Sequence, residues 1–258
     1  MVLSECASRL DALPRLAIEP SQIQAEQVVL TDGQAHYLQH VRRLRQGDPF
    51  LVFDGSGQAW RVCLSAQPRQ APMPVQPLVI PSRELPISLH LGLAVLKGNG
   101  FDDSLRSLTE LGVSHFTPLL TARTLVDPAA HKWQRWQKIV REAAEQSERL
   151  RIPEVDPPQA ELVGWLASIK AKAPSSPIWM AVTRRPAPPL LRFLQATLSQ
   201  GSLHHLTVLI GPEGGWTEQE VELAIEQGAQ PISLGSRILR AVTAPMVVAS
   251  LVAATLEE

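Results

Sequence analysis

Cysteine, net charge and long apolar runs are all scarce in this 258-residue chain. The two cysteines, Cys6 and Cys63, exclude a disulfide framework, and because no Cys/His spacing is typical of a metal site, we expect no metal. The net charge of −1 argues against attraction of nucleic acid by the whole surface, although local basic clusters can still bind phosphate. No apolar run is long enough to cross a bilayer and the N-terminus does not resemble a signal peptide, so we expect no membrane association and a cytoplasmic location.

Prolines mark a boundary between two domains. Six of them lie within residues 68–86, a density that excludes a helix and restricts any strand to the edge of a sheet. A chain of this length is usually about two domains. The sequence therefore predicts a first domain over residues 1–80 and a second over residues 81–258.

The first domain shows the pattern of a small β-barrel. A short amphipathic helix is predicted around residues 33–45, ending before Gly47. Two alternating segments, 49–54 and 58–64, flank Asp-Gly-Ser-Gly, which is typical of a hairpin with a four-residue loop.

Strand and helix patterns alternate in the second domain, which predicts a parallel sheet covered by helices. Asp102 or Asp103 can cap a helix that ends at Gly112, and a longer helix is predicted over residues 129–149. The predicted buried strands are 88–96, 116–120, 178–182, 206–210 and 232–234.

The segment 206–258 is the most informative. A buried strand leads into a loop rich in glycine, and a capping box of Thr217 and Glu220 then begins a helix. A second strand leads into residues 235–240 and a final apolar helix, with Pro245 in its first turn. Two such loops at one edge of a parallel sheet favour a ligand pocket over simple tight turns. Neither loop has a dinucleotide or P-loop motif.

Basic residues cluster in two places. The first domain has Arg42, Arg43 and Arg45, and the long helix has a basic face that continues to Arg149 and Arg151. Arginine suits phosphate because its planar guanidinium binds oxygens in pairs. Glutamates lie among the helix cations, so a solvated helix face is the simpler interpretation there.

Several stretches together resemble the bacterial ribosomal RNA small-subunit methyltransferase E family: HYLQHVRRLRQGDPFLVFDGSG, TELGVSHFTPLLTAR, RWQKIVREAAEQSERLRIPEV, VLIGPEGGWTEQE and LGSRILR. The resemblance implies an α/β fold, in which a PUA-like β-barrel precedes a SPOUT-type trefoil-knot domain with a parallel sheet. It also implies a homodimer that uses S-adenosyl-L-methionine to methylate N3 of a uridine in 16S ribosomal RNA of the small ribosomal subunit.

The resemblance carries site residues onto this chain by position. The cofactor is expected among Ala181, Val182, Ile210, Gly211, Pro212, Glu213, Gly214, Gly215, Leu234, Gly235, Ser236, Ile238, Leu239 and Arg240. RNA is expected at Arg42, Arg43, Arg45, Arg149 and Arg151. For catalysis, Arg240 and then Arg149 are expected to stabilise the uracil oxygens, with Glu145 or Glu213 as a base.

The chain also departs from the family pattern. Ala241-Val242-Thr243 follows LGSRILR where Thr-Glu-Thr is usual, Ser107 replaces a usual lysine, and Glu148 replaces a small residue. These changes keep a second hypothesis open, a knotted RNA-binding or ribosome-assembly protein with altered or lost catalysis. A third is an enzyme that uses the glycine-rich edge for another nucleotide-like ligand.

Overall fold

The computed structural model of the chain describes residues 13–24, 27–66, 70–72, 78–126, 128, 130–199, 201 and 203–257. Cys6 and part of the proline-rich stretch lie outside these ranges. Within them, no helix combines the length and the apolar character needed to span a membrane. The contacts define two compact units: the residues up to Glu84 together with Ala144–Ile152, and Leu85–Ala143 together with Pro153–Glu258.

Short strands build the first unit: β1 (Arg15–Ala17), β2 (Ile23–Gln24), β3 (Gln27–Val29), β4 (Pro49–Phe53), β5 (Ala59–Cys63) and β6 (Gln70–Pro72). They form two three-stranded sheets, of order β1-β4-β5 and β2-β3-β6. The predicted hairpin is confirmed, because β4 and β5 pair antiparallel and the loop between them has left-handed glycines at Gly55 and Gly57. Leu38, Phe50 and Trp60 belong to the buried core of this unit.

The helix of the first unit is shorter than the predicted 33–45. Thr31 caps α1 (Asp32–His36) in a capping box with Gln34, and a π-helical turn, Tyr37–Val41, follows. The wider turn ends with the Arg42 N–H bonded to the Tyr37 carbonyl at 2.9 Å, and Arg43 then has a φ of 57°. A residue in the left-handed region cannot continue a right-handed helix, which is why the helix ends here.

The second unit contains the predicted parallel sheet. Its strands are β7 (Ser88–Ala94), β8 (His115–Leu119), β9 (Glu154–Val155), β10 (Ile178–Ala181), β11 (His205–Ile210) and β12 (Gln230–Ile232). All pairs are parallel and the order is β12-β10-β11-β7-β8-β9. Because β10 lies between β11 and β12, the carboxyl ends of these three strands are neighbours at one edge of the sheet.

The helices that alternate with these strands are α2 (Gly100–Glu110), α3 (Ala130–Gln146), α4 (Leu162–Lys172), α5 (Leu190–Ser199), α6 (Glu218–Glu226) and α7 (Thr243–Leu256). The predicted capping box of α6 and the placement of Pro245 in the first turn of α7 are confirmed. The predicted cap of α2 is wrong: the helix begins at Gly100, and the buried Asp102 carboxylate instead accepts hydrogen bonds from Arg135 Nε and Trp136 Nε1 at 2.7 and 2.9 Å.

The segment Ala144–Ile152 makes its contacts within the first unit, although a single boundary near residue 80 assigns it to the second domain. It contains the end of α3, where Glu148 has a φ of 60°. The Arg149 N–H bonds to the Ala144 carbonyl and the Glu148 N–H to the Glu145 carbonyl, the two bonds of a Schellman motif. Glycine is favoured at such a position because it has no Cβ, so a small residue at Glu148 is what this backbone prefers.

Candidate functional site

A cavity of about 810 Å³ lies at the carboxyl edge of the parallel sheet in the second unit. The loops that follow β10, β11 and β12 line it, and Leu96 and Lys97 after β7 complete the wall. A cavity of this size is in the range that holds a small molecule or cofactor. The position agrees with the predicted pocket, at the edge where open α/β sheets bind ligands.

All of the residues predicted to bind a cofactor line this cavity except Gly214. Ile210 and Pro212 are buried in the wall, whereas Ile238 is 65% exposed. An apolar side chain so exposed beside a cavity offers a surface that an apolar ligand group can cover. Lining a cavity is not binding, and the assignment of these residues to a cofactor stays a prediction.

Gly211 is glycine because of its neighbour Trp216. A Cβ at Gly211 would lie 3.1 Å from the Trp216 indole, tighter than most packed contacts, so the indole would have to shift by a few tenths of an ångström. The Trp216 Nε1–H in turn donates to the Ala181 carbonyl at 3.1 Å, which joins the loop after β11 to the end of β10. The indole thus fixes two walls of the cavity relative to each other.

Arg123 holds the other side of the glycine-rich loop. Its Nη1 donates to the carbonyl of Gly214 at 2.7 Å and to that of Trp216 at 3.3 Å. A Cβ at Gly214 would lie 3.3 Å from the Arg123 side chain, so this side of Gly214 faces Arg123, and Gly214 is not among the residues that line the cavity. Glu213 Oε1 accepts from the Lys97 N–H at 3.3 Å, so this carboxylate braces its loop against the end of β7.

Several lining residues were not predicted from the sequence, notably Leu96, Lys97, Arg184 and Trp216. Leu96 and Lys97 belong to the site because β7 pairs with β11, and that strand order is not visible in local sequence patterns. Arg184 lies two residues beyond the predicted segment 181–182, whereas Arg237 lies within the predicted loop 234–240.

The departures from the family pattern fall in different places. Ala241 and Val242 line the cavity, and a Cβ at Gly100 would lie 3.1 Å from Val242 Cγ1. Ser107 lies on α2 outside the lining, and its carbonyl accepts from the Leu111 N–H. The two replacements after LGSRILR therefore change the cavity itself.

Two residues predicted to act in catalysis are engaged within the first unit. The Arg149 side chain is 2% exposed, and its Nη2 lies 2.6 Å from Glu84 Oε2. Glu145 Oε1 accepts from the Ala17 N–H at 2.7 Å. A buried guanidinium already paired with a carboxylate offers little to phosphate or to a uracil oxygen, so these contacts indicate structural roles.

The other predicted RNA-binding arginines are accessible. Arg42, Arg43, Arg45 and Arg151 are all exposed in the first unit. Their side chains are therefore free to reach a polyanion from solvent, and their binding of RNA stays a prediction.

A second polar cluster lies on β7, β8 and the residue after β9. His90 Nε2 is 2.8 Å from Thr117 Oγ1, which donates to Asp156 Oδ2 at 2.5 Å. His115 Nε2 lies 3.0 Å from the same oxygen, and its ring stacks on His90 with centroids 3.9 Å apart. These residues are the kinds that ligate metals. The nearly parallel rings, however, cannot both direct a nitrogen lone pair at one ion, so the cluster functions as a hydrogen-bonded network.

Burial sets the charge state of that network. It lowers the pKa of His90 from 6.5 to about 3, and the positive charges of His115 and Lys172 add to the effect. Burial acts to raise the pKa of Asp156, but the close contact with His115 Nε2 and the hydrogen bond from Thr117 outweigh it and leave that pKa lowered. His90 is therefore neutral and Asp156 ionised at neutral pH.

Comparison with known proteins identifies the family. Residues 83–253 match the RNA methyltransferase domain and residues 30–71 match the RNA methyltransferase PUA domain. The ribosomal RNA small subunit methyltransferase E of Synechocystis is 46% identical over 94% of this chain and 78% of its own length. That of Bacillus subtilis is 30% identical over 91% of this chain and 93% of its own.

Solved structures agree with the sequence relatives. A ribosomal RNA small subunit methyltransferase E from Neisseria gonorrhoeae, crystallised with S-adenosyl methionine, superposes with a TM-score of 0.78 at 31% identity, covering 92% of this chain and 95% of that one. The predicted SPOUT-type domain with a PUA-like N-terminal domain is confirmed. The chain therefore belongs to the RNA methyltransferase family, and within it to the ribosomal RNA small subunit methyltransferases E.

Proposed function

We propose that this chain transfers a methyl group from S-adenosyl-L-methionine to N3 of a uridine in 16S ribosomal RNA of the small subunit. The observation that carries the proposal is the cavity between the loops after β10, β11 and β12, lined by the predicted residues other than Gly214. Membership of the methyltransferase E family and the cofactor in the N. gonorrhoeae relative support the same assignment.

The residues of the cavity fit such a cofactor. Gly215 and Gly235 have φ values of 68° and 113°, so their backbones can turn toward a ligand without a Cβ in the way. Exposed Ile238 and half-buried Leu239 offer apolar contact to an adenine ring, and loop amides and carbonyls can pair with its polar edge.

The cofactor supplies a methyl group on a sulfonium, which is already activated for transfer. The protein must position the uracil and stabilise the anion that remains when N3 loses its proton. We assign the stabilising role to Arg240, which lines the cavity and is exposed to an incoming base. As the N3–methyl bond forms, the sulfur–methyl bond breaks and the N3 proton passes to a base or to water.

The base is not Glu145 in this proposal, because that carboxylate is bound to the Ala17 backbone in the first unit. Glu213 lines the cavity but braces the Lys97 backbone. Solvent water is therefore the acceptor that we assign, with Arg240 lowering the free energy of the anion.

RNA binding in this proposal uses the exposed arginines of the first unit, Arg42, Arg43, Arg45 and Arg151. Two chains associate through the second unit, because α7 is nearly all apolar and Met246, Val247 and Leu251 are only partly buried in one chain. The proposed substrate is ribosomal RNA, so the proposed location of the protein is the cytoplasm.

A second function is favoured by Ala241 and Val242. Where the family usually has Thr-Glu, these side chains leave the cavity without a carboxylate at that position. A protein that binds the small subunit and the cofactor but no longer transfers methyl groups fits this observation.

One assay tests the proposal. Small ribosomal subunits from bacteria that lack the family methyltransferase are incubated with the protein and methyl-labelled cofactor, and the digested RNA is analysed by mass spectrometry. Label in 3-methyluridine of 16S RNA is the expected result. Binding of subunits and cofactor without label would establish the second function, and label on another atom or base would overturn the uridine N3 assignment.

A further inference from the structure

The mouth of the cavity in the second unit has a surplus of positive charge. Four exposed basic residues line it: Lys97, Arg184, Arg237 and Arg240. Glu213 is the acidic residue among the described lining residues, and its Oε1 accepts from the Lys97 backbone rather than from a basic side chain. In the part of the chain that the structure describes, no carboxylate forms an ion pair with any of the four.

Arg185, in the same loop, is by contrast paired with carboxylates. Its Nη1 lies 2.6 Å from Glu222 and 3.0 Å from Glu218. The hydrogen bond that Arg185 donates to Glu222, together with the charge of both carboxylates, raises the pKa of Arg185 above its ordinary value. Carboxylates are thus available on α6, yet the neighbouring Arg184 has none.

The surplus is larger than the proposed reaction needs. S-adenosyl-L-methionine has a sulfonium, an ammonium and one carboxylate, so it is a net cation that calls for at most one basic partner. Arg240 has the role at the uracil anion. The basic groups that remain have no anionic partner on the cofactor.

The backbone conformation of Arg184 also indicates a ligand site at the mouth of the cavity. Its φ of 58° lies in the left-handed region, which glycine adopts without steric cost and which strains a residue with a Cβ. Strained residues concentrate at ligand sites, and here the strain is combined with a long cationic side chain at the cavity mouth.

We propose that Lys97, Arg184 and Arg237, here called the cationic rim, bind backbone phosphates of the RNA on either side of the target nucleotide. The inference rests on the proposed function and adds a second RNA contact to the first-unit arginines. Phosphate fits because guanidinium groups bind its oxygens in pairs, and because displaced counterions drive the association. The rim thereby holds the RNA over the cavity while one base enters it.

The test compares salt dependence of binding. Labelled small ribosomal subunits that lack the modification are titrated at several potassium chloride concentrations, with S-adenosylhomocysteine present so that no turnover occurs. The double variant Arg184→Gly and Arg237→Ala removes two charges, and glycine relaxes the left-handed backbone. The slope of log affinity against log salt should become shallower by about 2, one unit for each lost phosphate contact.

Two controls accompany the double variant. Arg192→Ala removes one exposed charge on α5, outside the cavity lining, and should leave the slope unchanged. Arg184→Lys with Arg237→Lys keeps both charges and should retain the wild-type slope. Cofactor affinity, measured by calorimetry, should stay within about twofold in all variants and reports that the cavity is folded.

The outcomes separate this inference from the proposed function. A wild-type slope in the double variant overturns the rim, even if the wild-type protein methylates the subunits. A shallower slope in a protein that shows no methylation supports the rim and rejects the catalytic assignment. Equal loss of slope in Arg192→Ala would show that general surface charge is the cause and would also overturn the rim.

Discussion

The Trp216 Nε1–H donates a hydrogen bond of 3.1 Å to the carbonyl oxygen of Ala181, and the same indole occupies the space that a side chain at Gly211 would need. Trp216→Phe keeps a ring beside Gly211 but leaves the Ala181 carbonyl without this donor. A lost hydrogen bond of this kind costs about 1 kcal/mol, so we expect cofactor affinity to fall about fivefold in calorimetric titration.

Trp133 provides the matched control, because its Nε1–H donates to the Val155 carbonyl at 2.8 Å in the same unit and outside the cavity lining. Trp133→Phe should lower stability by a similar amount and leave cofactor affinity unchanged. Equal affinities for wild type and Trp216→Phe would show that the indole does not position the cavity walls.

His90 predicts an acid-sensitive second unit. Its folded pKa of about 3 lies below the unfolded value of 6.5, so below pH 6.5 the unfolded chain takes up a proton that the folded chain does not. The stability that neutral His90 contributes is complete above pH 6.5 and is lost as the pH falls toward 3. Between pH 7.5 and 5 the loss should be about 2 kcal/mol, measured by urea unfolding.

His90→Gln keeps a hydrogen-bond donor but cannot titrate, so its stability should change little over this pH range, whatever its value at pH 7.5. Exposed His205, on β11, is the control, and His205→Gln should behave as the wild type. Asp156 acts in the same direction, but only as the pH approaches its ordinary pKa of 3.8, where the unfolded carboxylate takes up a proton that the folded one does not. A pH dependence retained in His90→Gln would assign the acid sensitivity to other groups.

The first-unit arginines should contribute to RNA affinity through charge. Arg42→Ala combined with Arg43→Gly removes two exposed guanidiniums, and glycine suits the left-handed backbone of Arg43. Binding to small ribosomal subunits should weaken and the salt slope should become shallower by about 2, with cofactor affinity unchanged. Arg61→Ala on β5 is the exposed control. An unaltered slope in the double variant would mean that this helix end is only a solvated surface.

Association of two chains should depend on the apolar face of α7. Val247 and Leu251 are one helical turn apart and are both partly buried in the single chain. A glutamate at either position should be costly to bury in an interface, so Val247→Glu with Leu251→Glu should change the light-scattering mass from two chains to one. Ser250→Glu, at an exposed position of the same helix, should remain at the wild-type mass. A wild-type protein with the mass of one chain at micromolar concentration would refute the dimer.

Local patterns predicted the parts of the site that local chemistry forms. Thr217 and Glu220 are three residues apart, and their capping box determines where α6 begins. Arg149 is predicted to contact RNA. Its burial against Glu84 could not be predicted, because the two residues are 65 positions apart and no sequence pattern connects them. Lys97 was missed for a similar reason, since its place at the cavity follows from the pairing of β7 with β11. Long-range pairing thus decides which basic residues are buried and which remain available.

Arg240 should affect turnover more than binding. Its proposed partner is the negative charge that develops on the uracil oxygens, and an interaction formed mainly in the transition state lowers kcat when it is removed. Removal of one such donor costs about 100- to 1000-fold in comparable sites, so Arg240→Ala should reduce kcat by that order in steady-state methylation of small ribosomal subunits. Affinity for subunits and for the cofactor should change only a few-fold. Because Arg240 favours the deprotonated base, the rate of the variant should also continue to rise to a higher pH than that of the wild type.

Arg237→Ala is the contrasting variant, expected to weaken subunit binding with kcat little changed at saturation. If Arg240→Ala instead raised KM alone and kept the wild-type pH profile, Arg240 would be a phosphate-binding residue, and the anion would be stabilised elsewhere.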